Sequence, residues 1–106
     1  MNTNLDHHTG IITVALAGDL LSTNADQFRA ELGPLLDASP PEWKTFRLDL
    51  ARAKMVDSVG LNFIITILKT VQKHGAKMQI VYANRNVHRT LLFTRLDKHV
   101  ELLAAA

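Results

Sequence analysis

The chain has 106 residues, 47% of them hydrophobic, a formal net charge of +2 and no cysteine. That is enough apolar material for one small domain with its own core, and too little for two. Without thiols, disulfide staples, thiolate metal sites and cysteine nucleophiles are excluded, and stability must come from packing. The basic residues are scattered among Arg47, Lys69, Lys73, Lys77, Arg85, Arg89 and Arg95, so nucleic acid is not an expected partner. The start, "MNTNLDHHTG", has neither the basic opening nor the apolar stretch of a secretion signal. No apolar run approaches the roughly 20 residues that span a bilayer. The expectation is a soluble cytoplasmic domain covering residues 1–106, with no direct membrane insertion.

In chain order, the first clear element is "GIITVALAG", a β-branched run with Ile12, Val14 and Leu16 on one face and Gly10 and Gly18 as its limits. A weakly patterned edge strand at residues 4–8 is expected to form a hairpin with it through Thr9 and Gly10. Ser22, Thr23 and Asn24 then offer caps to a helix whose Phe28, Leu32, Leu35 and Leu36 share one face, with Gly33 and Pro34 expected to kink or end it. "SPPEW" reads as a loop, and "TFRLDLA" as a strand with one covered face, Phe46, Leu48 and Leu50 alternating with Arg47 and Asp49.

From Ser58 the chain runs without proline to His74 and Gly75, about four helical turns, with Gly75 as C-terminal cap and Lys73 and His74 at the negative end of the dipole. "KMQIVYA" is a strand, "NRNVHRTLLFTRL" a short helix capped by Asn84 or Asn86, and "HVELL" a last strand. The order of two strands, helix, strand, helix, strand, helix, strand predicts an α/β fold. Its mixed sheet has parallel strands joined by crossover helices, and the helices cover mainly one face.

Most routes to catalysis are poorly supported. His7, His8, His74, His88 and His99 include no pair at helical i,i+4 spacing with a carboxylate partner, so no metal site is expected and most of them are read as surface residues. The five glycines form neither GxGxxG nor GxxxxGK[ST], so the chain is not expected to bind or hydrolyse nucleotide, and no cofactor is implied. Ser58 lacks the GxSxG frame of a hydrolase elbow, and nothing local positions a histidine for a triad.

What stands out is "KMVDSVGLNF", residues 54–63, with Asp57 and Ser58 at the start of the long helix. Either residue can cap free backbone N–H groups, a role worth about 1 kcal/mol. A serine exposed there can also carry a phosphate, whose charge of about −1.5 to −2 is partly offset by the helix dipole and the free N–H groups. At 100° per residue, Leu61, Ile64, Ile65, Leu68 and Val71 fall on one face and are expected in the core. Val59 and Phe63 fall opposite, with Thr66 and Thr70, and Ile67 lies between. Because the sheet occupies one side of this helix, Phe63 is expected to be exposed in an apolar patch beside Ser58. Binding driven by such a patch would be opposed by charge introduced at the serine.

The stretch "DLARAKMVDSVGLNFIITILKTVQKHGAKMQIVYANRNVHRTLLFTRLDKHVEL" resembles the STAS family, the sulfate transporter and anti-sigma factor antagonist domains. It is most similar to the bacterial single-domain anti-sigma factor antagonists. The most specific part is a strand, then "VDSVGL", then an apolar helix ending in "HGAKMQIV"; "AGDLLSTNADQF" resembles the family's loop and helix after its second strand. The resemblance implies a non-enzymatic, phosphorylation-controlled partner switch. Ser58 would be the phosphoacceptor of a serine kinase that is also an anti-sigma factor, of the histidine-kinase-like ATPase type, with ATP held by the kinase. Unphosphorylated antagonist would sequester that partner, and a serine phosphatase would restore the active form.

On this resemblance the partner surface comprises Asp57, Ser58, Val59, Gly60, Asn62 and Phe63, with Asp19, Leu21 and Thr23 from the earlier loop. Asp57 would place the hydroxyl and repel phosphate, and Gly60 would let a partner's backbone approach. Asn62 stands where many members have a second glycine, and Leu21 where many have an aspartate, leaving Asp19 as the nearest acid. The family's usual C-terminal helix is missing or very short. The same resemblance admits an alternative, a STAS subunit of a membrane-associated transporter complex docked to its ATPase, or a signalling-scaffold STAS protein.

Overall fold

The computed structural model describes residues 1–37 and 42–105. Strands β1 (Asn2–Asp6) and β2 (Ile11–Ala15) form a hairpin, followed by helix α1 (Ala25–Asp37), β3 (Thr45–Leu50), α2 (Ser58–Lys73), β4 (Lys77–Tyr82), α3 (Arg85–Phe93), a 3₁₀ turn (Leu96–Lys98) and β5 (Glu101–Ala104). The strands make one mixed sheet in the order β1-β2-β3-β4-β5, with β1 antiparallel to β2 and the remaining neighbours parallel. This is the α/β architecture that the alternation of elements predicts. Each strand-helix-strand unit steps the same way across the sheet, and right-handed crossovers then put the helices on one face. Ile12, Val14, Phe46, Leu48, Leu50, Met78 and Ile80 are buried beneath them. On the other face, Arg47 Nε donates to Gln79 Oε1 (2.9 Å) and Gln79 Nε2 to Glu101 Oε1 (2.7 Å). Among the described residues no helix is long and apolar enough to cross a membrane.

Local chemistry moved several expected boundaries. The edge strand occupies Asn2–Asp6 rather than residues 4–8, because Asp6 Oδ1 accepts from His8 N (2.9 Å) and closes a turn that needs Gly10 at φ 70°. Helix α1 runs through Pro34 to Asp37 instead of ending at Gly33 and Pro34. Pro34 lies on the exposed side of the helix, as does Ala30, so the carbonyl that lacks a proline N–H partner is open to water. The expected "SPPEW" loop falls partly outside the described residues; within them, Trp43 is buried edge-on to Phe46, centroids 5.6 Å apart. Gly75, at φ 71°, follows the end of α2 as expected. Asn84, not Asn86, caps α3, its side chain accepting from Asn86 N and Val87 N. His7, His8 and His99 are exposed, in keeping with the expectation that most histidines lie at the surface, while His74 and His88 are half-buried: His74 Nε2 donates to the Leu36 carbonyl (2.7 Å), and His88 stacks on Tyr82, centroids 4.0 Å apart.

The largest correction concerns α2. Its buried residues are Gly60, Phe63, Ile64, Ile67, Leu68 and Val71, while Leu61 and Ile65 are half-buried. The core face is therefore centred on Ile67, not on the line from Leu61 to Leu68. The expected exposure of Phe63 fails, for its side chain is 1% exposed. A second helix explains the shift. Helix α1 packs beside α2, and its Arg29 guanidinium lies 5.7 Å from the Phe63 ring centroid. The helix is covered by the sheet and by α1 together, so its buried arc is wider than a sheet alone dictates.

Candidate functional site

Because β2 and β3 are parallel neighbours, the loops leaving their carboxyl ends emerge side by side. A backbone bridge pairs Leu20 with Val56: Leu20 N donates to Met55 O (3.2 Å) and Asp57 N to Leu20 O (3.2 Å). Asp19 Oδ1 accepts from Lys54 N (2.7 Å) and Met55 N (3.2 Å). Asp19, expected as the acid nearest a kinase, is thus also the staple between the two loops. Asn24 shapes the same turn, accepting from Leu21 N (2.8 Å) and donating to Asp19 O (2.9 Å). Leu21 is half-buried and Thr23 exposed.

Asp57 is the N-cap of α2, with φ −86° and ψ −178°. Its Oδ1 accepts from Gly60 N (2.8 Å) and its Oδ2 from Ser22 N (2.7 Å), 35 residues away. The Gly60 amide, followed by that of Ser22, favours the charged carboxylate and holds its pKa below the ordinary 3.8, so it is ionised at neutral pH. Between the two candidate caps, the aspartate does the capping. Ser58, the first residue of α2, is exposed and its hydroxyl is left outside the cap. Ser22 is a site residue that sequence reasoning missed, since only the parallel pairing brings its amide to Asp57.

Gly60 also needs correction. It is buried, and a Cβ there would overlap the Leu20 carbonyl oxygen while lying 2.9 Å from the carbonyl carbon and 3.0 Å from Leu20 Cγ. The backbone that approaches Gly60 belongs to this chain's own loop, not to a visitor. Val59 (42% exposed) and Asn62 do face outward beside Ser58. Asp57, Ser58, Val59, Asn62, Asp19, Leu21 and Thr23 are therefore gathered at one end of the sheet, while Gly60 and Phe63 lie beneath it.

An apolar surface does adjoin the serine, but from another element. A groove of about 360 Å³ between α2 and α3 is lined by Val56, Asp57, Ser58 and Leu61 on one side and by Arg89, Thr90, Phe93 and Thr94 on the other. Phe93 is 89% exposed. The signal was present in the sequence: Val87 and Leu91 are the buried residues of α3, and Phe93 lies two positions past Leu91, roughly 200° round the helix.

The chain matches the STAS domain family model over residues 2–105. It is 29% identical over 94 residues to an anti-sigma F factor antagonist of Paenibacillus polymyxa, covering 89% of this chain and 79% of that protein. Among solved structures it superposes on a candidate anti-sigma factor antagonist of Thermotoga maritima with a TM-score of 0.84 at 23% identity, covering 99% of this chain and 86% of the other. It superposes on the phosphorylated form of the Bacillus cell fate determinant SpoIIAA with a TM-score of 0.71 at 14% identity, covering 99% and 92%. With the matched model spanning β1 to β5, the chain belongs to the STAS domain family.

Proposed function

We propose that this chain is an anti-sigma factor antagonist whose partner binding is switched at Ser58. The observation that carries the reading is an exposed hydroxyl at the first residue of α2, released from capping by Asp57. A phosphate there gains from the helix dipole but adds about −1.5 to −2 charges beside an ionised carboxylate. The unphosphorylated surface of Ser58, Val59 and Asn62, flanked by Leu21 and Thr23, binds a serine kinase that is also the anti-sigma factor, of the histidine-kinase-like ATPase type. Phosphorylation opposes that binding by repulsion and desolvation, and a serine phosphatase reverses it. The chain itself performs no catalysis and holds no cofactor, ATP being bound by the kinase, and it acts in the cytoplasm. The Paenibacillus relative, an anti-sigma F factor antagonist by name, supports the partner class.

Intact mass after incubation with each candidate kinase and ATP tests this directly. One phosphate on the native chain and none on Ser58→Ala is expected. Calorimetry should show Ser58→Ala retaining the kinase and Ser58→Asp losing it; equal affinities for all three forms would refute the switch. Capture of a transporter ATPase with no histidine-kinase-like ATPase would favour the transporter-subunit alternative.

A further inference from the structure

We infer that the hollow between the flank of α2 and the turn leading from α3 into β5 binds a small anionic amphiphile, an acyl or aryl body carrying one carboxylate, sulfonate or phosphate. The site lies further along α2 than Ser58, includes none of the residues proposed for the switch, and stands whatever Ser58 binds.

The hollow forms because the sheet and α1 cover the arc of α2 centred on Ile67 and leave Ile65, on the other flank, half-buried. Opposite that flank, Arg95 stands at φ 60° and turns the chain so that Leu96 is buried while Arg95, Lys98 and His99 stay in solvent. Backbone bonds fix the turn: Lys98 N donates to Arg95 O (3.1 Å) and Val100 N to Leu96 O (2.9 Å). The space enclosed is about 530 Å³, with Ile65, Leu68 and Leu96 as its apolar floor. That is the size of a small-molecule cleft, and more room than a bare inorganic anion fills.

Charge sets the ligand's sign. Lys69, Arg95, Lys98 and His99 line the hollow and no carboxylate does. Between Ser58 and Leu96 the chain has six lysines and arginines and no aspartate or glutamate. The two later carboxylates, Asp97 and Glu101, line the adjoining hollow instead, where Glu101 Oε1 accepts from Gln79 Nε2 (2.7 Å). Neither pairs with Lys69, Arg95 or Lys98, since the ion pair among the described residues is Arg29 with Asp26. Cations gathered without a counter-charge repel one another, and an anion held among them relieves that repulsion. Arg95 adds a second signal. Its left-handed backbone strains an arginine and not a glycine, so the guanidinium is kept at this position against a cost in stability.

The test is titration of the whole chain with anilinonaphthalene sulfonate, an anionic aryl amphiphile, followed by its fluorescence and by amide NMR shifts. Uncharged N-phenylnaphthylamine and inorganic phosphate serve as the apolar and the anionic half alone. Shifts are expected to centre on residues 68–72 and 95–99, with affinity at least tenfold above that of either half and falling with added salt. Lys69→Glu and Arg95→Gly should each weaken binding tenfold or more, and Arg85→Glu and Phe93→Ala should leave it unchanged. Arg95→Gly should melt no lower than the native chain, because glycine accepts φ 60° without strain, so its lost binding is not lost folding. Shifts centred on Phe93, equal affinity for N-phenylnaphthylamine or for phosphate, or native affinity in both Lys69→Glu and Arg95→Gly would each overturn the site.

Discussion

Gly60→Ala separates an internal role for this glycine from a role at the partner interface. In an ordinary helix interior the change favours folding by about 1 kcal/mol. Here the new methyl would overlap the Leu20 carbonyl oxygen and crowd the carbonyl carbon at 2.9 Å, and neither atom belongs to a flexible side-chain end. That oxygen also accepts from Asp57 N at 3.2 Å, so moving it aside stretches the hydrogen bond that joins the two loops. Overpacking costs roughly 1–3 kcal/mol, and a lost hydrogen bond about another 1 kcal/mol. Set against the helix gain of about 1 kcal/mol, the net expectation is destabilisation by about 1–3 kcal/mol. Urea denaturation followed by far-UV circular dichroism measures it, as a lowered midpoint with unchanged slope. A variant as stable as the native chain, or more so, would refute the close approach; unchanged stability with lost partner affinity would restore Gly60 to the interface.

Two further outcomes follow from the buried ring and the cap. Phe63→Ala removes a fully buried aromatic between α2 and α1, so it should cost about 3–5 kcal/mol; a thermal scan showing no more than a few degrees' loss would contradict its burial. Asp57→Asn should be less stable than the native chain at neutral pH, with the gap closing in acid. The sign follows from the lowered pKa: the native carboxylate's contribution is complete above the ordinary value of 3.8 and is lost as pH falls through the folded-state value. Urea midpoints of both proteins from neutral pH to about 2.5 check this, and a gap independent of pH would show that ionisation of Asp57 does not matter.

Element type was legible wherever the chain's own period was strong. The alternation in "TFRLDL", the proline-free run from Ser58 and the glycine that ends it each predicted the element now seen, and together they predicted the mixed sheet. The hairpin was legible only in part, since its strand lies two residues earlier than its weak pattern suggested. The position of Asp57 and Ser58 at the start of α2 was also legible. Which of them caps was not, because Asp57 wins through two amides, one supplied by the distant Ser22.

The faces of α2 show the limit most clearly. Local sequence determined that α2 is an amphipathic helix beginning at Ser58, because capping, glycine position and the 3.6-residue period act within a few residues of one another. Tertiary structure alone decided that Phe63 is covered by α1, that Gly60 meets Leu20 and that Phe93 is the aromatic left in water. A helix wheel ranks positions by angle but holds no information about how many neighbours pack against the helix or from which directions. Burial is a property of that assembled surround, so it emerges only when strands and helices distant in sequence are brought together.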